Sequence, residues 1–219
     1  MPRYIDLSHA IEEGMVTYKG LPAPIICDWM SFVKSHGKYA EGTEFSMQWI
    51  SMHGNTGTYL DVPRHRYREG HDMCGLSLER VSSVEALCVN VTAAPNRDIG
   101  LSWFEHLNVA GKAVLIRTDW SHKFGTDAYF EEHPFLSREA AAWLRDEGAA
   151  LVGIDSFNID NVDGGERPVH SILLGAEIPI VEHLTNLAEL PHDGFLFSAV
   201  PPKIKEVGTF PVRAHAIMD

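Results

Sequence analysis

Cysteine is scarce in this chain: 219 residues hold three, Cys27, Cys74 and Cys88, widely spaced and with no C-x-x-C pair. An odd, scattered set builds neither a disulfide framework nor a thiolate zinc site, so all three are expected as packing residues. Positive charge is also short. Lys and Arg number 18 against 30 Asp and Glu, a formal charge of -12, the reverse of a phosphate-binding surface, which argues against nucleic acid as a partner. The nucleotide fingerprint G-x-G-x-x-G, the Walker lysine motif and the G-x-S-x-G elbow are all missing. Dinucleotide binding, phosphoryl transfer and serine-nucleophile chemistry therefore lack their usual anchors. No run of about 18 apolar residues occurs, and the opening Met-Pro-Arg-Tyr-Ile-Asp-Leu-Ser-His has no apolar segment like that of a signal peptide. The expectation is a soluble, cytoplasmic protein whose partner is a small-molecule substrate, not a membrane.

Hydrophobic residues make up 45% of the chain and no low-complexity stretch interrupts them, so residues 1–219 read as a single domain with a substantial core. Twelve histidines raise the prior for metal or acid–base chemistry without placing a site. Strand signals fall at residues 4–7 and 25–30, and at 44–53, where Phe45, Met47 and Trp49 alternate with polar neighbours as in a half-buried strand. Further strands are expected at 86–92, 113–118, 150–155, 179–184, 194–200 and 210–218. Ser102-Trp-Phe-Glu105 reads as a capping box opening a helix, and Ser137 caps another that ends at Gly148. The alternation is that of an α/β fold, and the strand-rich end of the chain makes its sheet mixed. Residues 118–136 carry Trp120, His122, Phe124, Tyr129, Phe130, His133 and Phe135 without a period, which suggests a functional loop that covers the site.

Two stretches hold the chemistry. In Asn55-Thr-Gly-Thr-Tyr-Leu-Asp-Val-Pro-Arg-His65, Gly57 and Pro63 stiffen a bend that sets Asp61 and His65 on either side. In the second, Pro168 suits the first turn of a short helix carrying His170, with Gly175 closing it before a strand carrying Glu182. Glu182 and His183 are adjacent on that strand and cannot both face one site. Taken alone, such a His and Glu are more often satisfied structural groups than ligands. A charged Glu inside an apolar strand is harder to dismiss, because a buried carboxylate needs a cation or good donors. Arg64, Arg66 and Arg68 form a local basic cluster, read either as a solvated face or as a rim that attracts an anionic substrate group.

Several blocks then resemble the metal-dependent cyclase family, which includes kynurenine formamidases and isatin hydrolase-like enzymes. They are Asp6-Leu-Ser8 with Gly14-Met15, Thr56 to His65, Val114 to Thr118, Gly153-Ile-Asp155, His170 with Leu173-Leu174, and Pro179-Ile-Val-Glu182. The resemblance runs nearly end to end and implies a cyclase-like swivelling β/β/α fold, a mixed sheet or partial barrel flanked by helices, assembled as a homodimer or homotetramer. Of the signature His-x-Gly-(Thr or Ala)-His-x-Asp-x-Pro-x-His, the two leading histidines fall on Asn55 and Tyr59, whereas Asp61, Pro63 and His65 match. By resemblance the lost pair served one cation, and Asp61, His65, His170 and Glu182 serve the other. One divalent ion, Zn or Mn, is therefore expected. His53 is weighed as a displaced ligand. The implied chemistry is hydrolysis of an amide, cyclic amide or related acyl bond, with Tyr59 or Asn55 supporting an oxyanion. His65 acts as ligand or base, and if it is a ligand the proton acceptor is Glu182 or a group not identified. A non-catalytic binding protein and a lactonase or dehydratase using the same ion are the alternatives.

Overall fold

The computed structural model describes residues 1–218. Along the chain come β1 (Arg3–Asp6), β2 (Ile25–Met30), α1 (Phe32–Ser35), β3 (Met47–Ser51), β4 (Tyr59–Asp61), β5 (Val84–Asn90), β6 (Asp98–Ile99), β7 (Ala113–Arg117) and β8 (Phe135–Leu136). They are followed by α2 (Arg138–Asp146), β9 (Leu151–Ile154), α3 (Pro168–Gly175), β10 (Ile180–Glu182), β11 (Phe195–Ser198), β12 (Thr209–Pro211) and β13 (His215–Met218). Nine strands join in the order β1-β13-β11-β5-β7-β9-β10-β4-β12. The pairs β5–β7, β7–β9 and β9–β10 are parallel and the remainder antiparallel. This is the expected mixed α/β sheet, and it forms a half-barrel with few helices.

The central strands are apolar throughout because both faces are covered. Strand alternation sends Ala86, Cys88, Ala113, Leu115 and Leu151 into one core with Leu60, Val181 and Phe197. It sends Leu87, Val89, Val114, Ile116, Val152 and Ile154 into the other, against Leu144 of α2 and Leu173 of α3. Helix α2 starts where expected: the Ser137 hydroxyl accepts from the Ala140 amide at 3.1 Å. No helix among the described residues is long and apolar enough to cross a membrane.

Three expectations about elements need correction. Residues 210–218 are two strands on opposite flanks, with β12 pairing β4 and β13 lying between β1 and β11. Pro211 has no amide to continue the ladder, and the chain leaves the sheet there. Ser102 opens no helix. A 3-10 turn, Leu101–Trp103, stands there instead, because no apolar stripe follows to bury a longer one. Finally, β3 is exposed along its whole length and pairs only with β2 in a separate two-stranded arm. Trp29, Phe32, Val33, Met47, Trp49 and Ile50 are exposed on or beside this arm, so its alternation does not report a core within the chain.

The seam between β4 and β12 positions the residues discussed below, and glycines permit it. A Cβ at Gly208 would lie 2.4 Å from the His65 amide nitrogen and 2.8 Å from the Arg64 carbonyl carbon. One at Gly54 would lie 2.2 Å from the Thr209 carbonyl oxygen. Backbone meets backbone at both places, so no side chain can move aside. Gly208→Ala is expected to destabilise the protein by about 1–3 kcal/mol through overpacking. That lowers Tm by roughly 2–4 °C per kcal/mol in a chain of this size. Gly164→Ala, whose Cβ meets nothing within 4 Å, is the control. Equal melting curves for the two variants would contradict this account of the seam.

Candidate metal centre

Asp61 ends β4 and is fully buried. The next residue, Val62, is extended (φ -117, ψ 167), as the residue before a proline must be, and Pro63 starts a 3-10 turn, Pro63–His65. The turn carries the chain round so that His65 comes back beside Asp61, with His65 Nδ1 at 3.6 Å from Asp61 Oδ1. On the neighbouring strand, Glu182 pairs in register with Tyr59. His170 lies in the first turn of α3, where Asp160 accepts from the Val169 amide at 2.8 Å and the His170 amide at 3.0 Å. A carboxylate there satisfies amides that have no partner within the helix.

One donor atom each from Asp61, His65 and His170 lies within 4.8 Å of the others. His170 Nε2 is 3.6 Å from Asp61 Oδ2 and 3.8 Å from Glu182 Oε1. Zinc bonds of roughly 2.1 Å place two tetrahedral ligands about 3.4 Å apart, so little closure is needed. Asp61 Oδ2 is buried and lacks any hydrogen-bond partner among the described residues. A buried carboxylate oxygen left bare is costly, and a cation between it and the imidazoles removes that cost. The residues therefore fit a divalent ion with nitrogen and oxygen ligands. His170 Nδ1 bonds Asp160 Oδ2 at 2.6 Å, which leaves Nε2 facing Asp61 and Glu182. That carboxylate–histidine pair is the usual outer support of a metal-binding imidazole. Thr209 on β12 is the second support. Its hydroxyl contacts Asp61 Oδ1 and lies 2.6 Å from His65 Nδ1. Having one proton, it donates to the carboxylate and accepts from the imidazole.

Glu182 is held differently. Oε2 accepts from the Tyr59 hydroxyl at 2.5 Å and Oε1 from the Ile159 amide at 2.6 Å. The Tyr18 hydroxyl sits 2.8 Å from that of Tyr59 and accepts from Asn158 Nδ2 at 2.9 Å. With Tyr59 donating to Glu182 and Tyr18 to Tyr59, the chain of protons points at the carboxylate. Burial pushes Glu182 up to about 7, against the nearby positive charge of His170. Burial would lower His170, but the hydrogen bond to Asp160 and the negative charges of Asp61 and Glu182 carry it to about 10. An imidazole among three carboxylates holds a proton tightly, and a divalent ion competes for that same position. Tyr59 and Tyr18 are raised well above the ordinary phenol value by burial and remain neutral donors.

Asn55, Tyr59, His65, His170 and Glu182 all line one cavity of about 300 Å3. Within it Tyr59 is fully buried with its proton committed to Glu182, so it positions that carboxylate, whereas Asn55 lies on the wall. His53 is not among the converging donors. His183, expected on the strand with Glu182, is not on it: β10 ends at Glu182, and His183 follows with a left-handed backbone (φ 57) in a fully buried position, bonded to the Tyr129 hydroxyl at 3.0 Å. Two aromatics of 118–136, Phe124 and Tyr129, meet its ring, as does Phe157 from outside that stretch. Phe124 and Phe130 also line a separate cavity, beside His9 and Lys19. These rings are thus not a cover for the Asp61 pocket. The basic cluster also divides, since Arg64 bonds the carbonyls of Glu206 and Arg68, and Arg66 alone lines the pocket.

The family model named Cyclase matches residues 5–161. The chain belongs to the Cyclase family. Among its relatives, the kynurenine formamidase of Bacillus cytotoxicus is 28% identical over 213 residues, covering 96% of this chain and 95% of that one. The isatin hydrolase of Roseibium aggregatum is 26% identical, over 82% of this chain and 77% of its own. Among solved structures, a "potential metal-dependent hydrolase with cyclase activity" superposes with a TM-score of 0.81 at 25% identity, covering 100% and 99% of the two chains. Isatin hydrolase A from Ralstonia solanacearum superposes at 0.83 and 24% identity, covering 100% and 92%. The latter likeness concerns the fold.

This cyclase-family chain uses four residues that the sequence reading did not single out: Asp160, Thr209, Tyr18 and Asn158. Thr209, Tyr18 and Asn158 reach the site through contacts distant in sequence, and only Asp160 gives a local hint, as an acid shortly before a helix that has no side-chain cap of its own. Thr209→Val, close in shape but unable to bridge Asp61 and His65, is expected to weaken Zn²⁺ or Mn²⁺ binding about 10- to 100-fold, the usual effect of losing an outer support. Competition against a chromophoric chelator measures it. An unchanged affinity would remove Thr209 from the centre.

Proposed function

We propose that this chain is a metal-dependent hydrolase of an amide, cyclic amide or related acyl bond in a small molecule, with a mononuclear centre of Zn or Mn. Asp61, His65 and His170 hold the ion, and Glu182, with Oε1 at 3.8 Å from His170 Nε2 but outside that converging set, is left as the proton acceptor. The observation that carries this reading is the bare, buried Asp61 Oδ2 facing His170 Nε2 at the floor of a pocket. The formamidase and isatin hydrolase relatives, whose names denote cleavage of C–N bonds, support the choice of bond. Only one set of ligands is intact, because the other set's positions hold Asn55 and Tyr59, and this supports a single ion.

When bound, such an ion lowers the pKa of a water and polarises the carbonyl. The residues do the rest. Asn55, on the pocket wall with an amide N–H to offer, is placed to donate to the developing oxyanion. Glu182, a buried carboxylate on the pocket wall whose pKa burial raises, is the group assigned to take the proton and return it. Tyr59 fixes its rotamer through the 2.5 Å bond, with Tyr18 and Asn158 behind. His65 and His170 serve as ligands, since an imidazole nitrogen bound to an ion has no lone pair left to act as base.

The same reading makes the active protein a homodimer or homotetramer in which a second copy covers the β2–β3 arm. Large apolar patches of this kind are uncommon on monomers, and copies of one chain most often associate by symmetric use of one surface. Light scattering is expected to give a multiple of the chain mass, reduced by Trp49→Glu. A monomer at micromolar concentration would contradict it.

The chemistry is tested by elemental analysis together with a screen of N-formyl aromatic amines, cyclic imides and lactones. One equivalent of metal per chain is expected, and Asp61→Asn is expected to lose both metal and turnover, the latter by about 100-fold or more. Two equivalents per chain would overturn the mononuclear centre. Hydrolysis in a demonstrably metal-free sample would overturn the mechanism.

A further inference from the structure

Two cations stand at the pocket, and nothing in the proposed hydrolysis uses them. Arg66 and Arg167 both line the cavity that holds His65, His170 and Glu182. Neither has a carboxylate within ion-pair distance among the described residues, a state shared by Arg64, Arg68 and Arg80, none of which lines this cavity, whereas the other six arginines each have one. In a chain with 30 acidic residues against 18 basic ones, two unpaired guanidiniums on one pocket are not explained by a shortage of partners.

Both are held in place by neutral groups. Arg167 Nη1 donates to the carbonyls of Asn161, Gly164 and Glu166 at 3.1, 2.8 and 2.8 Å, which fixes the guanidinium plane and leaves Nε and Nη2. Arg66 Nε donates to the Ser171 hydroxyl at 3.0 Å, leaving both Nη groups. The Ser171 hydroxyl in turn donates to the Arg167 carbonyl at 2.8 Å, so one side chain in the first turn of α3 ties the two arginines together. Fixed, unpaired guanidinium edges are the geometry that recognises a planar carboxylate. Leu21 and Val162 on the same walls lower the local dielectric and strengthen the attraction.

We infer that the substrate is an amide or cyclic amide carrying a carboxylate apart from the bond that is cut, and that Arg66 and Arg167 bind that carboxylate at the pocket mouth. The identity of the bond rests on the hydrolase reading; the anion site does not. The cavity of about 300 Å3 limits the ligand to a small molecule.

The test compares N-benzoylglycine with its neutral methyl ester, measured by calorimetry on the protein as purified. The acid is expected to bind about tenfold tighter than the ester, the discrimination that charge-assisted hydrogen bonds provide. Arg66→Gln and Arg167→Gln are each expected to remove most of that preference and leave ester binding unchanged, and Arg66→Lys is expected to restore part of it. Equal affinities for acid and ester, or a preference untouched in Arg66→Gln, overturn the inference. Arg167 also holds three carbonyls, so should Arg167→Gln melt early, Arg66→Gln alone decides. Repeating the titration with Asp61→Asn separates the two claims. A preference that survives in this variant, together with an absence of turnover in the unaltered protein, keeps the anion site and rejects the hydrolase. Turnover without any preference does the reverse.

Discussion

The centre depends on an imbalance of charge that the polypeptide does not correct by itself. Asp61 is buried at the end of a strand, one of its oxygens touches the Thr209 hydroxyl, and the other meets no donor. Glu182 and Asp160 add two more buried carboxylates within reach of a single imbalanced imidazole, His170, which responds by holding its proton to about 10. A fold keeps such a group only where something outside the chain satisfies it, and a divalent cation does so with the nitrogen and oxygen donors present.

The scaffold is arranged to keep those donors from relaxing. β4 is clamped between β10, which brings Glu182 opposite Tyr59, and β12, which brings Thr209 opposite Asp61. The approach of β12 to the Pro63–His65 turn is so close that only glycine fits at 208. Helix α3 contributes His170 from the other direction, its start fixed by Asp160 and its first turn joined to both pocket arginines through Ser171. Ligand position, outer support and pocket charge are thus set by overlapping contacts, and replacing one member is felt by the others.

Much of this was legible in the sequence where local chemistry decides the outcome. Pro63 restricts Val62 and turns His65 towards Asp61 whatever the rest of the chain does, and Pro168 with Gly175 brackets α3. The central strands also declared themselves by apolar runs. What stayed hidden came from long-range pairing. Thr209 lies 148 residues from Asp61, and Tyr18 lies 140 from Asn158. Tyr59 was read as a candidate oxyanion donor, and only its burial and its bond to Glu182, a partner 123 residues away, show that its proton is committed elsewhere. Pattern misled where period and environment part company: β3 alternates as a half-buried strand does, yet it is exposed along its whole length. Phe124 and Tyr129 of 118–136 pack on His183 instead of the pocket, because a buried imidazole needs apolar cover as much as a substrate does.

The most direct test of the central claim is diffraction at the absorption edge of the bound metal, on crystals grown with Zn²⁺ or Mn²⁺. The account predicts one anomalous peak per chain, about 2.0–2.2 Å from Asp61 Oδ2 and His170 Nε2 and in contact with His65. An anomalous map with no peak at Asp61, or with a second peak of equal height beside Asn55 and Tyr59, would contradict it.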